Sequence, residues 1–207
     1  MAQLYPDSVQ RLIAELNRLP GIGARSAERL AFHLLAAPRD EAMGLALAIR
    51  EVKHSLRACP RCFNVTDAPT CHICRDAARR QQILCVVELP RDIIALEKCG
   101  VYDGVYHVLQ GRLDPLANIA PENLRIVELC RRLTAENIEE VILALNPTTA
   151  GDATTHYLAA ELRAQFPALK ITAPARGLTA GVDIETVATS SLAAALRARA
   201  DWAGSEQ

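Results

Sequence analysis

Two short cysteine pairs limit the folds open to this chain. Cys59-Pro60-Arg61-Cys62 and Cys71-His72-Ile73-Cys74 lie eight residues apart. In each pair a tight turn aims both thiolates at one centre, and four thiolates close a tetrahedral shell around zinc. A closed shell leaves no coordination position for substrate, so the expectation is one structural Zn²⁺ per chain, held by Cys59, Cys62, Cys71 and Cys74. The competing reading, a redox Cys-x-x-Cys, usually occurs singly, after a strand and at a helix start. His72 is an alternative fourth ligand, but four sulfurs already fill the shell. Cys85, Cys99 and Cys130 stand alone on apolar faces and are expected as small core residues. Seven cysteines, an odd number, with no secretory leader in MAQLYPDSVQRLIAEL, speak against a disulfide framework and for a cytoplasmic protein.

Half of the 207 residues are hydrophobic, enough to bury a substantial core. The longest apolar runs are strand-sized, far below the ~20 residues of a membrane span, so no membrane partner is expected. The net charge of −1 conceals an asymmetry. Residues 1–80 carry 12 Lys and Arg against 8 Asp and Glu, whereas residues 81–207 carry 11 against 16. A basic part that meets a polyanion and an acidic part with another task fit that division. With aromatics at 4%, a base-stacking platform is not expected.

The chain begins with a helix over 8–19, with Ser8 as N-cap and Val9, Leu12, Ile13 and Leu16 at helical spacing. A second helix, 25–36, turns Ala27, Leu30, Ala31, Leu34 and Leu35 inward and stops before Pro38. A third, 39–56, buries Met43, Leu47 and Leu56. After the cysteines, apolar strands alternate with amphipathic helices: strands at 83–87, 105–109, 141–145 and 169–173, helices at 92–98, 122–133 and 153–166. That alternation describes a parallel sheet covered on both faces. A last helix spans about 190–199. The fold expected is α/β: a helical head at 1–57, a zinc module at 58–76, a parallel-sheet domain at 81–176 and a C-terminal extension at 177–207.

Leu19-Pro20-Gly21-Ile22-Gly23 between two amphipathic helices has the helix-hairpin-helix pattern. Gly21 and Gly23 let the backbone take positive φ and approach a phosphate closely. The next helix starts there, so its free N–H groups and positive dipole end face the same anion. Arg25 and Arg29, one helical turn apart, add charge along the phosphate run. These contacts hold the DNA backbone and read no sequence. The plainer reading is an αα-hairpin capped by glycine.

Glu88 ends the first strand, and Asn146-Pro147-Thr148-Thr149-Ala150-Gly151-Asp152 follows the third, at the sheet edge where open α/β folds place their ligands. Glu88 and Asp152 form a thin candidate site for Mg²⁺, a cation that prefers oxygen ligands. The alternative roles are ordinary ones at helix starts.

Taken in order, the L-P-G-I-G hairpin, the C-x2-C-x8-C-x2-C module and Cys85-Val86-Val87-Glu88 resemble the RecR family of bacterial recombination mediators. So do Asp92-Ile93-Ile94-Ala95-Leu96-Glu97, Tyr106-His107-Val108-Leu109, Glu140-Val141-Ile142-Leu143-Ala144 and the segment from Ala153-Thr154 to Tyr157-Leu158-Ala159. The resemblance covers about residues 5–200. It implies a helix-hairpin-helix, a four-cysteine zinc finger and a Toprim domain in a nucleoid-associated DNA-repair protein that is not an enzyme. It implies binding of single- and double-stranded DNA through Arg25 and Arg29, and assembly as a dimer or tetrameric ring. Action with RecO and RecF to load RecA at gaps follows from the same resemblance. The Toprim acidic positions fall on Glu88, Ala150 and Asp152, so Ala150 removes one carboxylate of the set. The segment 175–183 lacks a proline usual in the family at Thr179, and Ala188 replaces a usual acidic residue. The loop 118–121 lacks two family glycines.

Two other classes compete with a DNA-binding mediator. A Mg²⁺-dependent Toprim nuclease or phosphotransferase needs several converging carboxylates, and here two at most converge. A zinc-stabilised scaffold that only docks proteins would show no salt-dependent DNA binding.

Overall fold

The computed structural model describes residues 5–175, 185 and 189–197. Most of the C-terminal extension, including 176–184, Ala188 and the end of the last helix, lies outside the described residues. The chain divides into two compact units, Met1–Leu56 and Arg57–Gln207.

The first unit holds helices α1 (Asp7–Asn17), α2 (Ala24–Ala36) and α3 (Arg39–Ser55). Pro6, not Ser8, is the N-cap of α1. Proline needs no N–H partner at a helix start, and Asp7 behind it suits the positive end of the dipole. Pro38 likewise caps α3. The expected apolar interior is only partly realised. Ala27 and Ala31 are fully buried, but Leu30 and Leu35 are exposed, and so are Met43, Leu47 and Leu56. No residue of α3 is buried. The amphipathic spacing is present, but the unit itself supplies too little surface to cover it.

The second unit opens with a two-residue antiparallel ladder, β1 (Arg57–Ala58) with β2 (Val65–Thr66), and the single-turn helix α4 (His72–Arg75). Then come β3 (Arg80–Val87), α5 (Pro90–Cys99), β4 (Gly104–Val108), α6 (Ile126–Ala135), β5 (Glu140–Leu143), α7 (Thr149–Gln165) and β6 (Lys170–Thr172), with α8 (Thr189–Arg197) beyond. The last four strands form a parallel sheet in the order β4-β3-β5-β6. Register puts Leu84 beside Val105 and Val141, and Cys85 beside Tyr106 and Ile142. Alternate residues therefore serve opposite faces. Leu84, Val86 and Val141 join Leu129, Leu158 and Leu162 of α6 and α7 in one core. Cys85, Val87 and Tyr106 join Ile93 of α5 and the four cysteines in the other.

The zinc module is thus part of the sheet's own core. β4 is an edge strand, and exposed edges invite pairing with other chains. Here the Val108 N–H donates to the Cys62 carbonyl at 2.8 Å, and Arg132 Nη1 donates to the Tyr106 carbonyl at 2.6 Å. The Gln110 side-chain amide donates to the Phe63 carbonyl, and the Phe63 ring meets His107 edge-on. Arg61 forks onto Glu136, which Arg132 also binds. The module closes an edge that would otherwise be open.

Candidate functional site

Cys59, Cys62, Cys71 and Cys74 are all buried, and their Sγ atoms lie within 4.8 Å of one another. Among the described residues no other set of three or more Cys, His, Asp or Glu converges in this way. The Cys62 and Cys71 sulfurs are 3.4 Å apart without a disulfide. A tetrahedron with Zn–S bonds of about 2.3 Å has S···S edges of about 3.8 Å, so the donor set fits the ion. Backbone N–H groups also point at sulfur, from Cys71 to Cys59 and from Cys74 to Cys71. Side-chain hydrogen bonds within the cluster push the Cys71 thiol down at the expense of Cys62, which is pushed up. Burial without such bonds drives the lone Cys85 thiol up to about 12. The protein carries a structural four-cysteine Zn²⁺ site. His72 stands exposed outside it. Cys85 is buried as expected, but Cys99 is exposed, with its thiol turned to the Leu96 carbonyl.

The turn between α1 and α2 is built as a type II turn, with Pro20 at its second position and Gly21 at its third. The Ile22 N–H donates to the Leu19 carbonyl at 3.0 Å, and Gly21 has φ +80°. Gly23 differs from the expectation of positive φ: it is extended at φ −85°, ψ 170°, and caps α2. It offers no side-chain oxygen to the first turn of α2, and a Cβ there would meet nothing within 4 Å. What this glycine provides is an uncovered helix start. Arg25 and Arg29 are exposed. Glu28, between them in sequence, is turned away and accepts from the Tyr5 hydroxyl at 2.7 Å. A groove of about 550 Å³, lined by Ile22, Ser26, Arg29 and His33, runs beside them. The helix start carries no acidic residue in its first turn. It is therefore a cationic surface with open N–H donors, the chemistry that holds a phosphate. Of the arginines that follow the zinc module, Arg79 pairs with Glu97 and Asp76 and Arg80 with Asp103, whereas Arg75 is exposed.

Glu88 follows β3 and is 1% exposed. Its Oε1 accepts the Asn146 N–H at 2.9 Å, and its Oε2 accepts from Arg112 Nη1 at 3.1 Å. Gly151, in the first turn of α7, presses on the same point. A Cβ there would come within 2.0 Å of the Asn146 carbonyl and 3.0 Å of Glu88 Oε1, so only glycine fits. Thr148 caps α7 by accepting the Gly151 N–H, and Asp152 stands in its first turn. Glu88 is thus set against the helix that carries Asp152, but each of its oxygens already has a donor. A cation entering there would meet the Arg112 guanidinium held against Oε2. The sequence does not point to Arg112 as a partner, because 24 residues and a strand separate it from Glu88.

Family models match along the chain: the RecR helix-hairpin-helix over residues 9–53, the RecR four-cysteine zinc finger domain over 56–76 and the Toprim domain over 82–173. The chain is similar to the recombination protein RecR of Rubrobacter xylanophilus, with 51% identity over 87% of this chain and 90% of that one. It is 49% identical to the recombination protein RecR of Myxococcus xanthus, over 96% of this chain and the whole of the other. For that of Pelotomaculum thermopropionicum the identity is 47%, over 94% and 96%. With its helix hairpin, zinc module and Toprim sheet in that order, the chain belongs to the RecR family of recombination proteins.

Proposed function

We propose that the protein is a DNA-binding recombination mediator with no chemistry of its own, acting with RecO- and RecF-type proteins to promote RecA loading at gaps. In this reading the head, 1–57, holds single- or double-stranded DNA by its backbone. The zinc module, 58–76, braces the Toprim sheet, 81–176, as a docking and assembly element, and 177–207 extends it. The protein would work in the cytoplasm, associated with the nucleoid. The observation that carries the proposal is the uncapped start of α2, with Arg25 and Arg29 exposed beside it and Glu28 diverted to Tyr5. A Mg²⁺-dependent nuclease or phosphotransferase is disfavoured by the cationic Arg112 guanidinium held against Glu88.

One hairpin makes few phosphate contacts, so useful affinity calls for several copies acting together. The exposed Met43, Leu45, Leu47, Ile49 and Val52 of α3 supply apolar surface for that assembly,. We read the protein as a homo-oligomer, dimer or tetrameric ring.

The test is a salt titration of binding to single strands and duplex. Each phosphate neutralised contributes about −0.9 to the slope of log affinity on duplex and about −0.7 on single strands. Arg25→Ala/Arg29→Ala should weaken binding to every sequence alike and flatten the slope by about two phosphates per engaged hairpin. An unchanged slope in the folded double variant would overturn the assignment, and Mg²⁺-dependent cleavage lost in Glu88→Ala would restore the enzyme reading.

A further inference from the structure

A groove of about 850 Å³ lies inside the second unit, between α5 and the zinc module. Its floor is apolar: Ile73 and Ile93 are buried there, and Val65 and Ile94 line it while 46% and 57% exposed. Its rim is cationic. Arg91 and Lys98 stand two helical turns apart on α5, with Ile94 between them on the same face. No carboxylate pairs with Arg91 or Lys98 among the described residues. The one acidic residue of the lining, Glu97, is taken up by Arg79 and accepts from the Tyr106 hydroxyl at 2.6 Å. The Arg79 guanidinium holds that carboxyl below its usual range, so its charge is already answered.

We infer that this groove docks an acidic amphipathic helix of a partner protein. The charge pattern selects the occupant. Cations about 10 Å apart along α5, at about 1.5 Å per residue, match carboxylates two turns apart on a helix whose apolar residues at i, i+3 and i+7 face the floor. The lining has few converging polar groups of the kind that orient a small metabolite. It also has no Phe, Tyr or Trp ring on which a nucleic-acid base could stack,. The groove belongs to the unit that does not contain the helix hairpin, so the inference stands whether or not the head binds DNA.

The zinc-loaded full-length protein is titrated against a labelled peptide of about twelve residues with leucines at i, i+3 and i+7 and glutamates elsewhere. A second peptide carries lysine for every glutamate, and a single-stranded oligonucleotide is the third probe. Fluorescence anisotropy should show saturable, salt-sensitive binding of the acidic peptide alone to this groove. Ile94→Glu and Arg91→Glu/Lys98→Glu alter exposed positions and should keep the circular dichroism of the wild type. Each should weaken the acidic peptide about tenfold or more, and the charge-reversed variant should gain the lysine peptide. Absence of saturable binding, or equal binding by all variants, would overturn the inference. So would loss of oligonucleotide rather than peptide in the charge-reversed variant, which would make the groove a nucleic-acid surface. A fall in solution mass with Ile94→Glu would assign it to a second copy of the chain instead.

Discussion

Arg112 reaches Glu88 across 3.1 Å and supplies a positive charge at the carboxyl end of β3, the edge where open α/β sheets bind their ligands. Glu88 is 2% exposed in its side chain and Arg112 39%, so the carboxylate depends on that guanidinium and on the Asn146 N–H. Removing the arginine leaves a buried acceptor short of a donor. Arg112→Ala should cost about 1–3 kcal/mol, seen as a lower calorimetric Tm. Millimolar Mg²⁺ should leave the wild-type Tm unchanged and raise that of Arg112→Ala, because only the variant lacks a cation beside Glu88.

The zinc site should prove to be structural in the strong sense. Cys71 caps α4, its sulfur accepts the Cys74 N–H, and the neighbouring Cys62 carbonyl holds the edge of β4. Cys71→Ser should therefore lose zinc, and metal loss is loss of folding free energy. Elemental analysis should give one zinc per wild-type chain. Hydrogen exchange should show deprotection at Val108 in the variant, well away from the substituted cysteine in sequence.

His107 gives an acid-sensitive element on the same strand. It is fully buried, its Nε2 faces the Arg125 carbonyl at 2.8 Å, and its Nδ1 has no partner. An Nε2 that faces a carbonyl carries the proton. Burial lowers the pKa of the ring from 6.5 to about 4. The unfolded chain then takes up a proton before the folded one does. This contribution is complete above pH 6.5 and lost as the pH falls toward about 4, amounting to up to about 3 kcal/mol. His107→Gln should be less stable at neutral pH but lose less stability over that interval, in urea melts with zinc occupancy monitored in parallel.

What the sequence discloses and what it withholds divide along physical lines. The cysteine spacing and the Leu19–Gly23 turn are local: a few consecutive residues fix their geometry, so the zinc ligands and the tight turn are legible. The apolar runs at 83–87 and 105–109 reveal the strands for the same reason. The Glu88–Arg112 pair, the clasp of Cys62 on Val108 and the Arg61–Glu136 fork join residues 24 or more positions apart, and no spacing announces them. The interior of the head fails in the opposite sense. Leu30, Leu35, Met43 and Leu47 have the pattern of buried residues, but burial also requires a surface to meet, and one unit does not supply it.

The two turn glycines should separate cleanly. Gly21 is held at φ +80°, a conformation that costs an ordinary L residue about 1–2 kcal/mol,. Gly23 is extended, and the space around its missing side chain is empty. Gly21→Ala should therefore lower stability by about 1 kcal/mol, since the stiffer unfolded chain offsets part of the strain. Gly23→Ala should melt like the wild type. For DNA the order reverses in kind: a methyl group at Gly23 stands over the open N–H donors at the start of α2 and keeps a phosphate from close approach. The Gly23→Ala variant should bind DNA more weakly with its fold intact, and Gly23→Val more weakly still. Thermal melts beside salt titrations on the same preparations would show it. Gly23→Ala binding DNA like the wild type would mean that the arginines alone hold the backbone and that the helix start is idle.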